Sequence, residues 1–156
     1  MKPDFLLGIS CFYHDSACAL IRDGEIISAV QEERFSRKKH DSSFPENAIK
    51  YCLKSNDLDL RDISNIVYYE KPLLTFERLL ETYLAVAPRG GRSFIAAMQV
   101  WLKEKLFLKS ELKKSFKIIP KDINNTKEIQ IPDFLFAEQH QSNATAPFYP
   151  SPLEEA

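Results

Sequence analysis

The sequence predicts an α/β fold, a mixed five-stranded sheet with an inserted helical hairpin, and three observations predict it. Two apolar runs, Phe5 to Ser10 and Ala17 to Arg22, lead into Asp23-Gly24, a strong two-residue hairpin signal, and then a third strand pattern, Glu25 to Gln31. A helical pattern separates these strands from the short apolar run Ile66 to Tyr69, which pairs with the first strand if the connection is right-handed. A longer helical excursion precedes the last strand pattern, Phe134 to Ala137.

Each element has its own justification. After the charged segment Glu32 to Asp41, Pro45 stands near a helix start and Ala48, Ile49, Cys52 and Leu53 fall on one helical face. Lys71-Pro72 ends the fourth strand, and Thr75 with Arg78 opens a helix striped by Phe76, Leu79, Leu80, Tyr83 and Leu84. Pro88-Arg89-Gly90-Gly91 breaks it, and a second helical run extends from Ser93 to about Lys117 with Phe94, Trp101, Phe107 and Phe116 on its aromatic stripe. These two helices, residues 73–117, form the expected insert, and its aromatic residues are expected to pack it. Pro120 to Gln130 is expected as a loop, and Ala144 and Ala146 as the start of a helix that Pro147 and Pro150 cut short.

Composition narrows the class. With 44% hydrophobic and 28% charged side chains in 156 residues, one core-bearing domain, or most of one, is expected. A net charge of -1 disfavours nucleic acid as a partner. No window approaches the roughly 18 apolar residues of a membrane span, and Lys2-Pro3-Asp4 does not open a signal peptide, so a cytoplasmic location is expected. Cys11, Cys18 and Cys52 lack metal or disulfide spacing and are expected as core thiols.

The candidate site begins at Phe12-Tyr13-His14-Asp15-Ser16-Ala17, expected as a tight turn between two core strands. Such a turn presents side chains and backbone N–H groups together on a sheet rim, where a phosphate or small electrophile can be held. The plainer alternative is a polar hairpin tip. The run from Glu32 to His40 offers cationic groups that can grip phosphate, and its plainer alternative is a solvated, self-paired loop.

The β-β-β-α-β-α-β order is that of the ribonuclease-H-like half of sugar kinases, actin and Hsp70, the ASKHA superfold. Three strings sharpen the match: Gly8-Ile9-Ser10-Cys11-Phe12-Tyr13-His14-Asp15-Ser16-Ala17, Gln31 to Asp41, and Phe148-Tyr149-Pro150-Ser151-Pro152. With Lys71 to Leu74, Phe76 to Leu84 and Trp101 to Phe107, they run from about Phe5 to Ala156. The chain resembles the N-terminal part of the NodU/CmcH-type O-carbamoyltransferases.

That resemblance implies a two-domain parent. A YrdC-type C-terminal domain makes carbamoyl-adenylate from carbamoyl phosphate and ATP, and the actin-like N-terminal domain passes the carbamoyl group to a hydroxyl of a sugar or natural product. Residues 1–156 are then the first part of that N-terminal domain, without the remainder and the YrdC-like domain, and the piece alone is expected to be inactive and poorly soluble. The resemblance implies that His14 is the general base and that Asp15 holds its tautomer or caps the turn. Glu33, Arg34, Lys39 and His40 line the substrate site, while Lys38 stays in solvent. It also implies a divalent metal, bound where the family reads Glu-His-His-x-Ser-His-Ala. Here the segment is Glu138-Gln139-His140-Gln141-Ser142-Asn143-Ala144, so amides occupy two ligand positions and only His140 is left. A degenerate, non-catalytic paralogue or scaffold is the resulting alternative. A kinase or ATPase of the same superfold is a third, weakened by a content of only four glycines.

Overall fold

The fold comes from a computed structural model, which describes residues 3–87, 91, 94–96, 98, 107–119, 130–148 and 151–152. Within them lie β1 (Phe5–Ser10), β2 (Ala17–Arg22), β3 (Glu25–Gln31), α1 (Glu33–Ser36), α2 (Glu46–Lys54), β4 (Ile63–Tyr68), α3 (Pro72–Val86), α4 (Leu108–Phe116), β5 (Asp133–Phe136) and α5 (Gln139–Phe148). Trp101 and residues 120–129 of the expected loop lie outside the described residues. Among the described residues, no helix is long and apolar enough to cross a membrane.

The five strands form one sheet in the order β3-β2-β1-β4-β5. β1 pairs antiparallel with β2, and β2 with β3. The β2–β3 turn has Asp23 at φ 49° and Gly24 at φ 90°, the positive dihedrals that a tight hairpin demands. β4 is parallel to β1, and β5 to β4, as the mixed sheet required.

Side chains alternate across a strand, so one face of the sheet is set by Leu7, Ile9, Cys18, Leu20, Ile66, Tyr68 and Phe134, all buried. α2 covers that face with Ala48, Ile49, Cys52 and Leu53. Cys52 Sγ accepts a hydrogen bond from Ser28 Oγ at 3.5 Å and lies 3.8 Å from the Cys18 carbonyl oxygen. Phe116 joins the same core, its ring 5.5 Å from Phe134 and 5.1 Å from Phe44. Cys11, Cys18 and Cys52 are all buried and none is in a disulfide, as expected of core thiols.

The chain divides into two units, Met1–Glu70 with Ser115–Ala156, and Lys71–Lys114. Within the second, α3 starts at Pro72, whose missing N–H would be unpaired in a first turn anyway, and the rings of Tyr83 and Phe94 meet at 4.8 Å.

Several boundaries differ from expectation. β4 begins at Ile63 rather than Ile66, because Ile63 pairs with Phe5 across a bulge that the polar Ser64 and Asn65 conceal in the sequence. α3 starts at Pro72 rather than Thr75, and β5 one residue before Phe134. α5 opens at Gln139, well before Ala144, with Pro147 in its last turn. The charged segment is not one loop, since it holds the short helix α1.

α2 has no side-chain cap of its own at Pro45. Its first N–H groups are taken by Glu32, sixteen positions back: Ala48 N–H donates to Oε2 at 2.8 Å, Asn47 N–H to Oε1 at 3.3 Å, and Asn47 Nδ2 to Oε1 at 2.6 Å. A carboxyl there also faces the positive end of the helix dipole. Glu32 is only 3% exposed, so removing it strands buried donors. Glu32→Ala is therefore expected to destabilise the fold by about 2–3 kcal/mol, and a urea midpoint equal to wild type would contradict this.

Candidate functional site

β1, β4 and β5 run parallel, so their carboxyl ends at Ser10, Tyr68 and Phe136 share one edge of the sheet. The connection from β1 to β2, residues 11–16, is built on that edge. It is longer than the expected tight turn, because its shape is imposed by a second segment. Phe12 N–H donates to the Ser42 carbonyl at 2.8 Å, Ser16 N–H to the Asp41 carbonyl at 2.8 Å, and Ser16 Oγ to the Ser43 carbonyl. Tyr68 Oη donates to the Cys11 carbonyl at 2.8 Å, and its burial pushes the phenol pKa up.

Phe12, Asp15 and His40 all have positive φ, at 68°, 46° and 54°. Left-handed backbone is tolerable for Asp and His and unusual for Phe. Such conformations persist only where the surroundings over-determine them, and they concentrate at functional sites.

Asp15 is the centre of the constellation. Its Oδ1 lies 2.9 Å from His40 Nδ1, and its Oδ2 lies 3.2 Å from His14 Nδ1. The hydrogen bond from His40 is the main cause holding the Asp15 carboxyl below its ordinary pKa, opposed by desolvation and helped by the charge of both imidazoles when protonated. A carboxylate only accepts, so a neutral imidazole bonded to it through Nδ1 carries its proton there and keeps the lone pair on Nε2. Both imidazoles are mostly exposed, and the His14 ring stacks at a tilt on Tyr13, 4.5 Å between centroids.

The remaining candidates are spread around this centre. Glu33 Oε2 accepts the His40 backbone N–H at 3.3 Å, and Glu33 Oε1 is 3.7 Å from the Arg34 guanidinium. Lys39 is exposed. Lys38 is exposed too, 3.8 Å from Asp41. Arg34 lines a groove of about 740 Å³ on the sheet face opposite α2. Its floor is the small residues Gly8, Ala19 and Ala29, and Tyr69 and Ser142 stand beside them. His140 sits in the first turn of α5 rather than at a strand end, at the edge that carries the hairpin, and is exposed.

Three relations were not read from the sequence. The Asp15–His40 pairing spans 25 positions and leaves no local trace. Glu32 and Asp41 belong to a charge run that local composition assigns to solvent, yet both are buried. Signals for these two existed: the absent cap at Pro45 called for a remote one, and Asp41-Ser42-Ser43 has the spacing of an Asx turn, in which Ser43 N–H and Oγ reach Asp41 Oδ1 at 3.0 and 2.7 Å.

The segment at the start of α5 fits a metal poorly. One imidazole is accompanied by amides at positions 139 and 143, one helical turn apart, and a neutral amide neither binds a transition metal well nor offsets its charge. Among the described residues, no cluster of three or more His, Cys, Asp or Glu side chains is placed to hold an ion.

Comparison with known proteins supplies the context. The family described as carbamoyltransferase N-terminus matches residues 6–156. The chain belongs to this family. Its curated relatives include the uncharacterized protein sll1178 of Synechocystis, 58% identical over 97% of this chain and 24% of that protein. The nodulation protein NolNO of Sinorhizobium fredii is 32% identical over 93% of this chain and 19% of its own length. The chain thus spans a quarter or less of these curated relatives. The expected resemblance to NodU-type carbamoyltransferases is borne out, and the matched residues contain the hairpin with His14 and Asp15.

Asp41 gives the brace under the hairpin a pH dependence. Hydrogen bonds from Ser36 and Ser43, with the Lys38 ammonium nearby, pull its carboxyl down to about 2. A folded pKa below the unfolded value of about 4 stabilises the fold fully above pH 4 and loses that contribution as pH falls toward 2. The stability gap between wild type and Asp41→Asn, followed by urea unfolding from pH 5 downward, should therefore close toward pH 2. A gap that stays constant would show that Asp41 is not the titrating group.

Proposed function

We propose that this chain is the front of an actin-like N-terminal domain of a carbamoyltransferase, and that its hairpin takes part in moving a carbamoyl group onto an acceptor hydroxyl. The observation that carries the proposal is Asp15 holding the Nδ1 atoms of two imidazoles at the carboxyl edge of the sheet, in a chain of this family. The strand order and two parallel crossovers support a ribonuclease-H-like, ASKHA-type lobe, and the separate unit around residues 71–114 supports an insert at 73–117.

In this reading His14 Nε2 takes the proton of a sugar or natural-product hydroxyl as its oxygen attacks the carbamoyl carbonyl. The bond from that carbon to the adenylate phosphate oxygen breaks, releasing AMP and leaving a carbamate ester. Asp15 fixes the imidazole so that its basic nitrogen faces out. Arg34, Lys39 and Glu33 belong to the surrounding substrate surface. Carbamoyl phosphate and ATP are the substrates that a further, YrdC-type domain of the whole polypeptide converts to carbamoyl-adenylate. No step is routed through a metal, because the amides at 139 and 143 do not suit one.

A second reading is favoured by those same amides: a paralogue that keeps the fold for pairing with another chain and has lost catalysis. One experiment separates the two. The full-length polypeptide carrying this domain is given radiolabelled carbamoyl phosphate, ATP and a panel of sugars, beside its His14→Asn variant. Labelled carbamate with wild type and a loss of roughly 10²–10⁴-fold with the variant are expected for a general base. Undiminished transfer by His14→Asn removes His14 from the chemistry, and a folded wild type that transfers nothing favours the scaffold.

A further inference from the structure

The shared carboxylate has a consequence for which histidine does what. An exposed aspartate beside an exposed histidine is a weak pair, because water screens the attraction. By itself that does not hold a side chain in one rotamer or impose the Nδ1–H tautomer, because free neutral imidazole prefers the Nε2–H form. Asp15 and His14 are such a pair, adjacent in sequence and 3.2 Å apart. What distinguishes this site is the shorter contact, 2.9 Å, from the other Asp15 oxygen to His40.

His40 is itself held from behind. Its N–H donates to Glu33 Oε2 of α1, and its φ of 54° turns the side chain at the end of a loop tied to the hairpin on both sides of Asp15. Those ties are Phe12 N–H to Ser42 and Ser16 N–H to Asp41, both 2.8 Å. The carboxylate therefore meets a donor whose place is fixed by other elements.

We infer that His40 is a positioning residue for His14: by taking Asp15 Oδ1 it turns Oδ2 onto His14 Nδ1 and leaves His14 Nε2 as the basic atom. His40 does not touch the reacting atoms in this role, which differs from lining the substrate surface. The inference deepens the proposed carbamoyl transfer, but it concerns a tautomer that exists whether or not transfer occurs.

The test reads that tautomer directly. Full-length polypeptide, 15N-labelled at histidine, is measured by magic-angle-spinning NMR at about pH 8, above the ordinary imidazole range. The His14 signals are identified by their loss in His14→Gln. In wild type His14 should be mainly Nδ1–H. In His40→Leu it should become mainly Nε2–H. His40→Asn should restore Nδ1–H, because the Asn amide can donate to Oδ1 from near the place of Nδ1, and a purely structural role for His40 would not predict this rescue. A His14 that remains mainly Nδ1–H in His40→Leu, or that is mainly Nε2–H in wild type, overturns the inference. Should His40→Leu misfold, Asp15→Asn decides: its single amide oxygen can serve only one imidazole, so two histidines still Nδ1–H would also overturn it. Inactive protein with the expected tautomers would fault the carbamoyl-transfer reading and leave this one standing.

Discussion

Burial of the Glu32 carboxyl at the start of α2 is the constraint on which the site rests. Glu32 ends the three-stranded meander, and its N–H donates to the Ser16 carbonyl at 2.8 Å, at the base of the hairpin. Its side chain reaches the opposite way, to the first turn of α2. One residue thus joins the last strand of the meander, the loop between β1 and β2, and the helix that covers the core. Residues 33–43 are strung between two fixed points, and within that span the chain can hold Asp41 and Ser42 against the hairpin. A carboxyl with no partner would be costly so deep in the protein, whereas here the backbone N–H groups of Asn47 and Ala48, which the helix start would otherwise leave unpaired, donate to it, as does the Asn47 side-chain amide.

The sheet order places the candidate site. In open α/β sheets, ligands are bound outside the carboxyl ends of the strands, where the chain direction diverges. All three histidines of the sequence belong to segments that leave this edge or are tied to it: His14 after β1, His40 in the loop bound to that hairpin, and His140 in the first turn after β5. The two faces of the sheet are unequal. The α2 side is filled by large apolar residues, while the other side is floored by Gly8, Ala19 and Ala29 and meets α5 through a hydrogen bond from Ser142 Oγ to the Tyr69 carbonyl. Among the described residues that line the groove, Arg34 is the charged one.

What was legible in the sequence was what local pattern encodes. The Asp23-Gly24 turn fixes two strands because only certain residues accept its dihedrals, and the bounds of β1, β2 and β3 were read correctly from alternation around it. The face of α2 was legible because a helical repeat puts Ala48, Ile49, Cys52 and Leu53 together. His14 and Asp15 stand out as polar residues between two apolar strands, which places them on an edge, and the roles expected of them come from the resemblance. The rest depended on partners distant in sequence. A charge run looks the same whether it faces water or caps a helix further along the chain, so nothing local marks Glu32 and Asp41 as buried. Nothing local links His40 to Asp15, so their contact is not legible in the sequence.

The site's resource is geometry more than low dielectric. With His14 and His40 both above 60% exposed at the side chain, water screens their charges, and strong electrostatic tuning is not available to them as they stand. Precise placement is available. Left-handed backbone at Phe12, Asp15 and His40 costs energy, of order 1–3 kcal/mol for a bulky residue such as Phe12, and the hydrogen bonds from Phe12 and Ser16 to the 41–43 segment offset it. A relaxed hairpin could carry the same side chains without that cost. The strained one instead directs two imidazoles at one carboxylate from separate elements, so an outward Nε2 on each follows from the backbone and does not require burial.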